Sequence, residues 1–219
     1  MIANAIGAEI RRFEEREHEG QPSRAVIAER VYETDAADLW DALTNKERIP
    51  RWFLPVSGDL KLGGKYQLQG NAGGTITRCD PEKALDLTWE FGGGMSWVTV
   101  RLEPVGEGGA TRLILEHIAP VGVTEEHWAS FGPAAVGTGW DLSFMGLAIH
   151  IGSGAAVDPQ AFAAWSASDD GKGFMRASAA AWAEAHIAGG EDPDTARAMA
   201  ARTARFYTGE GAPDGGSAA

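Results

Sequence analysis

The sequence predicts an α+β fold: a curved antiparallel sheet packed on one long helix, followed by a small helical extension. Three observations predict it. Segments of strict apolar/polar alternation run between residues 84 and 117, separated by glycine-rich turns roughly every ten residues. Beyond Thr124 the apolar period becomes helical, and Val136, Trp140, Phe144, Leu147 and Ile151 fall on one face of a single long segment that needs the concave side of the sheet. Two later pairs, Asp158-Pro159 and Asp192-Pro193, each set a capping aspartate before a proline suited to the first helical turn.

The elements follow in order. Residues 4 to 17 place Ile6, Ile10 and Phe13 at helical spacing among charged residues, which predicts an amphipathic helix broken at Gln21-Pro22-Ser23. "RAVIAERVY" reads as a strand, and Thr34-Asp35 starts a helix with Leu39, Trp40 and Leu43 on one stripe, ended by Pro50. "KLGGKYQLQG" is a glycine turn and a short strand with Tyr66 and Leu68 on one face. "GGTITRCDPEK" is a strand that is hard to phase, because Ile76 and Cys79 both face inward only if a bulge intervenes. In "LDLTWEF" Leu85, Leu87, Trp89 and Phe91 share a face, and in "TRLILEH" Leu113, Leu115 and His117 do. Gly137, Gly139 and Gly146 lie inside the long helix, each at a cost of about 1 kcal/mol relative to alanine, which close approach of a neighbour or simple looseness would explain.

Four regions follow: an N-terminal helical arm (1–23), a main domain (24–152), an alanine-rich helical appendage (157–208) and a disordered tail (209–219). The chain has 219 residues, 44% hydrophobic and 23% charged, so it has the composition of a folded protein. A net charge of -12 opposes phosphate neutralisation and anionic membrane surfaces, so neither nucleic acid nor a membrane is an expected partner. There is no run of about 18 apolar residues, no secretion-signal pattern at the start, and only one cysteine, Cys79, which predicts a cytoplasmic protein.

Phosphate-binding loops, nucleophile elbows and metal-ligand spacing are missing, so no cofactor and no metal are expected. His117 is the best candidate for acid-base work, an imidazole facing the concave side, although a strand-end histidine near solvent or satisfied by backbone is the commoner case. Arg78 offers a fork of donors for a carboxylate or enolate if it points inward. Asp141 can position a hydroxyl if it does not face solvent. The rings of Tyr66, Trp89, Trp140 and Phe144 can line a pocket or simply fill the core.

The order strand, helix, helix break, antiparallel meander and long helix resembles the helix-grip fold of the START-like, or SRPBCC, superfamily. "VYETDAADLWDALTNKERIPRWF" looks like the opening motif of its Aha-type branch, named for an activator of a heat-shock ATPase. "LGGKYQL", "CDPEKALDLTWEF", "TRLILEH" and "GWDLSFMGLAIHI" match later family blocks in the same order, and the resemblance spans residues 24 to 152. It implies a sheet gripping the long helix around an apolar cavity; such families include lipid carriers, polyketide cyclases, hormone receptors and co-chaperones.

The expected function is binding of a small apolar or ring-containing metabolite, lipid-like or polyketide-like, with cyclase-type acid-base activity left open. Its wall would comprise Trp52 and Phe53 at the rim, Tyr66, Leu68, Ile76 and Arg78 from the early strands, and Trp89, His117, Trp140 and Phe144. An enclosed volume of at least a few hundred Å³ with a polar group inside would suit it. The alternative is a co-chaperone-like module acting on a heat-shock ATPase. A homodimer built from the arm and the appendage is compatible with either.

Overall fold

A computed structural model describes residues 9–123 and 125–210. Eight strands form one antiparallel sheet in the order β1-β2-β8-β7-β6-β5-β4-β3, so the middle of the chain is a meander and β8 returns beside β2. The strands are β1 (Glu9–His18), β2 (Gln21–Tyr32), β3 (Val56–Gly58), β4 (Lys65–Leu68), β5 (Gly73–Asp80), β6 (Ala84–Phe91), β7 (Gly94–Val105) and β8 (Ala110–Pro120). The helices are α1 (Ala36–Thr44), α2 (Glu125–Phe131), α3 (Ala134–Ser153), α4 (Pro159–Ala167), α5 (Asp169–Ala188) and α6 (Pro193–Thr208). This is the α+β helix-grip arrangement, with α3 held by the sheet.

The first element corrects the expectation. Residues 9 to 18 are not a helical arm but a full-length strand, paired with β2 from Glu9↔Arg30 to His18↔Gln21. The two-residue loop Glu19-Gly20 has positive φ at both positions, 50° and 76°, the geometry of a type I′ hairpin. The charged residues that imitate a helix surface serve both faces of a strand. Glu9, Arg11 and Phe13 point to the helices, where Arg11 reaches Asp141 at 2.9 Å, while Arg12 pairs with Glu29 and Arg16 with Glu116 on the other side. Ile6 and the remaining predicted helical residues before Glu9 lie outside the described residues, as does the tail from residue 211.

The core sits between the sheet and α3. Val100, Leu113 and Leu115 from the strands meet Phe144 and Leu147 of α3, and the Tyr32 hydroxyl donates to the Phe144 carbonyl at 3.2 Å. Asp35 caps α1 through the Asp38 N–H at 2.9 Å, and Asp158 and Asp192 cap α4 and α6 in the same way. The helix glycines are explained by close approach. A Cβ on Gly137 would fall 2.2 Å from the fully buried Trp182 ring of α5, and one on Gly146 would fall 2.6 Å from the Trp52 carbonyl oxygen. α5 therefore docks into a notch on α3 at Gly137, and the turn carrying Trp52 into a second at Gly146.

Candidate functional site

The site begins where α1 ends. Ile49–Arg51 form a single 3₁₀ turn with Pro50 inside it, and the Phe53 N–H closes the turn on the Ile49 carbonyl at 2.9 Å. The chain is thereby swung so that Trp52 and Phe53 face α3. Trp52 is pinned by its indole N–H, which donates to the Ala42 carbonyl at 2.9 Å. Its ring stacks on Phe53 with centroids 5.3 Å apart, and Phe53 stacks on Trp140 at 6.3 Å. Trp140 meets Trp89 at 5.3 Å, and Trp89 meets His117 at 5.7 Å. Five rings from the turn, α3, β6 and β8 thus make one continuous aromatic strip.

The strip is a partition. On its inner side, between sheet and α3, lies a cavity of about 130 Å³ whose walls include Tyr66, Leu68, Ile76, Leu87 and Phe144. On its outer side lies an open groove of about 590 Å³, and Trp52, Phe53, Trp89 and Trp140 line both spaces. The far wall of the groove comes from the helical appendage: Val157, Pro159 and Phe162 around the start of α4, and Tyr207 of α6. The inner space is smaller than the few hundred Å³ expected, because the aromatic rings that were expected to line one cavity divide two. Most of the volume lies outside them.

The candidate residues separate accordingly. Tyr66, Leu68, Ile76 and Phe144 are inside; Trp52, Phe53, Trp89 and Trp140 stand in the partition; His117 closes its end and lines the groove. Arg78 is not in the site. The register shifts between Ile76 and Arg78, and this bulge turns both Ile76 and Cys79 to the cavity while leaving Arg78 exposed and paired with Asp80 at 3.2 Å. Asp141 is fully buried on the opposite side of α3. It accepts from Arg11 at 2.9 Å, from Ser178 at 2.5 Å and from Trp182 at 3.1 Å, so it holds α3 to β1 and α5 and presents nothing to a ligand.

His117 has both ring nitrogens engaged. The Trp140 indole only donates, and it lies 3.1 Å from Nδ1, so Nδ1 carries the lone pair and the proton sits on Nε2. Nε2 donates to Ser96 Oγ at 2.9 Å, and the Ser96 hydroxyl donates onward to the Trp89 carbonyl at 3.2 Å. Every donor in this chain finds an acceptor. The imidazole is a neutral bridge that fixes Trp140 against Trp89, and burial pushes its pKa from 6.5 down to about 4.

That shift has a stability consequence. The unfolded chain takes up a proton at His117 as pH falls below 6.5, whereas the folded chain resists doing so until about pH 4, so stability drops through that window. His117→Gln keeps a donor and an acceptor without titrating. The native chain is expected to lose on the order of 3 kcal/mol more than this variant between pH 7 and 4 in urea denaturation. Parallel pH profiles would contradict the neutral bridge.

Two groups of functional interest escaped the sequence reading. Arg51, exposed to water, lines the groove, and the appendage supplies a wall. Neither carries a sequence signature, because the groove joins residues separated by more than a hundred positions. Among the described residues no group of three or more His, Cys, Asp or Glu side chains is arranged to hold a metal ion, and no helix is long and apolar enough to cross a membrane.

Comparison with known proteins places this geometry. The family model described as Activator of Hsp90 ATPase homolog 1-like protein matches residues 33–152. The crystal structure of CalU16 from Micromonospora echinospora is 30% identical, with a TM-score of 0.60 over 80% of this chain and 98% of that one. The solution structure of CalU16 gives 0.66 over 83% and 97%. DynU16, a protein of the dynemicin biosynthetic locus, shares the fold at 20% identity and a TM-score of 0.51; the match takes 60% of this chain and spans about half, 48%, of DynU16. None of the curated proteins matches the chain. The CalU16 match extends beyond the family-model span, so it takes in elements outside residues 33–152. With that model covering more than half of its length and the helix grip intact around α3, the chain belongs to the Activator of Hsp90 ATPase homolog 1-like protein family of the START-like superfamily.

Proposed function

We propose that the protein binds a small apolar, ring-containing metabolite at the aromatic strip, with the bulk of the ligand in the groove and an apolar end directed at the inner cavity. One observation carries this reading: four aromatic residues border space on both sides of the strip, 130 Å³ within and 590 Å³ without, where a purely structural core would have left none. The groove alone falls within the size range of small-molecule sites. His117 is better suited to orienting Trp140 than to proton transfer, since both of its nitrogens are already committed. The reading is therefore of a binding protein; catalysis is not part of it.

Phe53 tests this cleanly. Its ring lies between Trp52 and Trp140 and makes no polar contact, so Phe53→Ala opens the partition without orphaning a donor. The loss of one aromatic contact with the probe, worth about 0.5–1.5 kcal/mol, predicts roughly a two- to tenfold loss of affinity for the fluorescent probe N-phenyl-1-naphthylamine. Unchanged probe binding in a folded variant, or no binding by the native chain, would count against the site.

A second reading, an interaction module for a heat-shock ATPase, draws on the family description and on the exposed Phe91, Met95 and Val123, which adjoin at the β6–β7 hairpin. Its test is the ATPase rate with and without added protein; an unchanged rate removes it.

A further inference from the structure

The charge around the groove does not follow the charge of the chain. Aspartate and glutamate outnumber lysine and arginine by 31 to 19, yet no acidic side chain lines the groove and its single formal charge is Arg51. The arginines before and after it in the sequence both hold carboxylates, Arg48 those of Asp38 and Asp41, and Arg78 that of Asp80. Among the described residues no carboxylate lies within ion-pair distance of Arg51. Asp158, which lies in sequence between the groove residues Val157 and Pro159, caps α4 through the Gln160 N–H at 2.9 Å and does not itself line the groove.

Arg51 is also held in place. Its carbonyl accepts from the Val157 N–H at 2.7 Å, and Nη2 donates to the Gly154 carbonyl at 3.0 Å, which fastens it where α3 ends and the appendage begins. One donor of the guanidinium fork is used in this way, and the remaining four have no partner among the described residues. The adjacent residues of the chain, Trp52 and Phe53, start the aromatic strip. A cation therefore stands at one end of a row of rings, which is the recognition pattern for an anion joined to an aromatic body.

We infer that the groove selects anionic, ring-bearing ligands, compounds with a carboxylate or phenolate on an aromatic or polycyclic frame, the anion resting on Arg51 and the rings on the strip. This rests on the proposed binding site and adds the ligand's charge to it.

Two probes separate the inference from the site itself. 1-Anilinonaphthalene-8-sulfonate and N-phenyl-1-naphthylamine share their rings and differ by the sulfonate. Arg51→Gln is expected to weaken the sulfonated probe about three- to tenfold, the effect of a partly exposed charge-assisted contact, and to leave the neutral probe within twofold. Arg78→Gln removes the same charge outside the groove and is expected to change neither. Melting curves of both variants check that they are folded. An Arg51→Gln variant that binds the sulfonated probe as the native chain does, or that weakens both probes equally, overturns the inference while leaving the site standing. Equal loss in Arg78→Gln overturns it too, since the general field would then suffice. Failure of the native chain to bind either probe overturns the inference together with the site.

Discussion

Gly137→Ala is expected to destabilise the protein by about 3 kcal/mol, even though alanine is the better helix former by roughly 1 kcal/mol. The added methyl would lie 2.2–2.4 Å from three atoms of the Trp182 indole, well inside van der Waals contact. Trp182 has no room to yield. It is fully buried, packed with Ala179 and Ala183 in the central cluster, and its N–H is tied to Asp141 at 3.1 Å. Displacing it pushes α5 away from α3 and loses both the packing and the hydrogen bond. For a chain of this length the midpoint of thermal unfolding should fall by about 6–12 °C. Gly173→Ala in α5 supplies the control, since nothing lies within 4 Å of its Cβ position; it should gain up to about 1 kcal/mol. A Gly137→Ala variant as stable as the native chain would mean that α5 does not rest on this notch.

The second large effect is expected at Asp141. Four charged side chains meet where β1, β2 and α3 converge: Glu9 bonds Arg11 at 3.0 Å and Arg30 at 2.6 Å, and Arg11 bonds Asp141 at 2.9 Å. They balance in sign. Burial raises the Asp141 pKa, and the positive charge of Arg11 works against that rise. Asp141→Ala leaves three charges, Glu9 between Arg11 and Arg30, with one buried positive charge in excess, and orphans the Trp182 N–H, while the Ser178 hydroxyl keeps Thr138 Oγ1 at 3.2 Å. The cost should be about 3–5 kcal/mol in urea denaturation. The double variant Arg11→Met with Asp141→Leu removes one charge of each sign and leaves Glu9 with Arg30, so it should cost less than Asp141→Ala alone. If the single substitution costs under about 1 kcal/mol, the network contributes little to docking these elements.

The parts of this protein that could be read from the sequence are those in which a periodic pattern meets one solvent boundary. The meander and the long helix have that property: Leu85, Leu87 and Trp89, or Leu113 and Leu115, alternate because one face of each strand is apolar. β1 lacks it, since Glu9 and Arg11 on one face are compensated by Arg30 and Asp141, which are 21 and 130 positions away. Only three-dimensional partners reveal that the charges at Glu9 and Arg11 are buried. The candidate rings could be placed on the inward faces of their elements from periodicity, which left open whether they line a pocket or fill the core. Their division of the space in two was not legible, because it depends on ring orientation and on a wall contributed by Phe162 and Tyr207. Arg78 was left open for a local reason, the phase of β5, which the one-residue bulge sets. The glycines of α3 presented a cost whose cause lay in Trp182 and Trp52, far away in the chain.

β1 has one further consequence. An open sheet leaves two edges, and among the described residues this strand forms one of them along its full ten residues. An edge of that length would recruit other strands into growing aggregates were it apolar. Apart from the buried Glu9 and Arg11, five of its ten residues are charged, with both signs interleaved, so an approaching strand would have to displace the water bound to them before any backbone pairing could begin. The exposed charges that disguise the strand as a helix surface thus oppose the extension of each sheet into its neighbour.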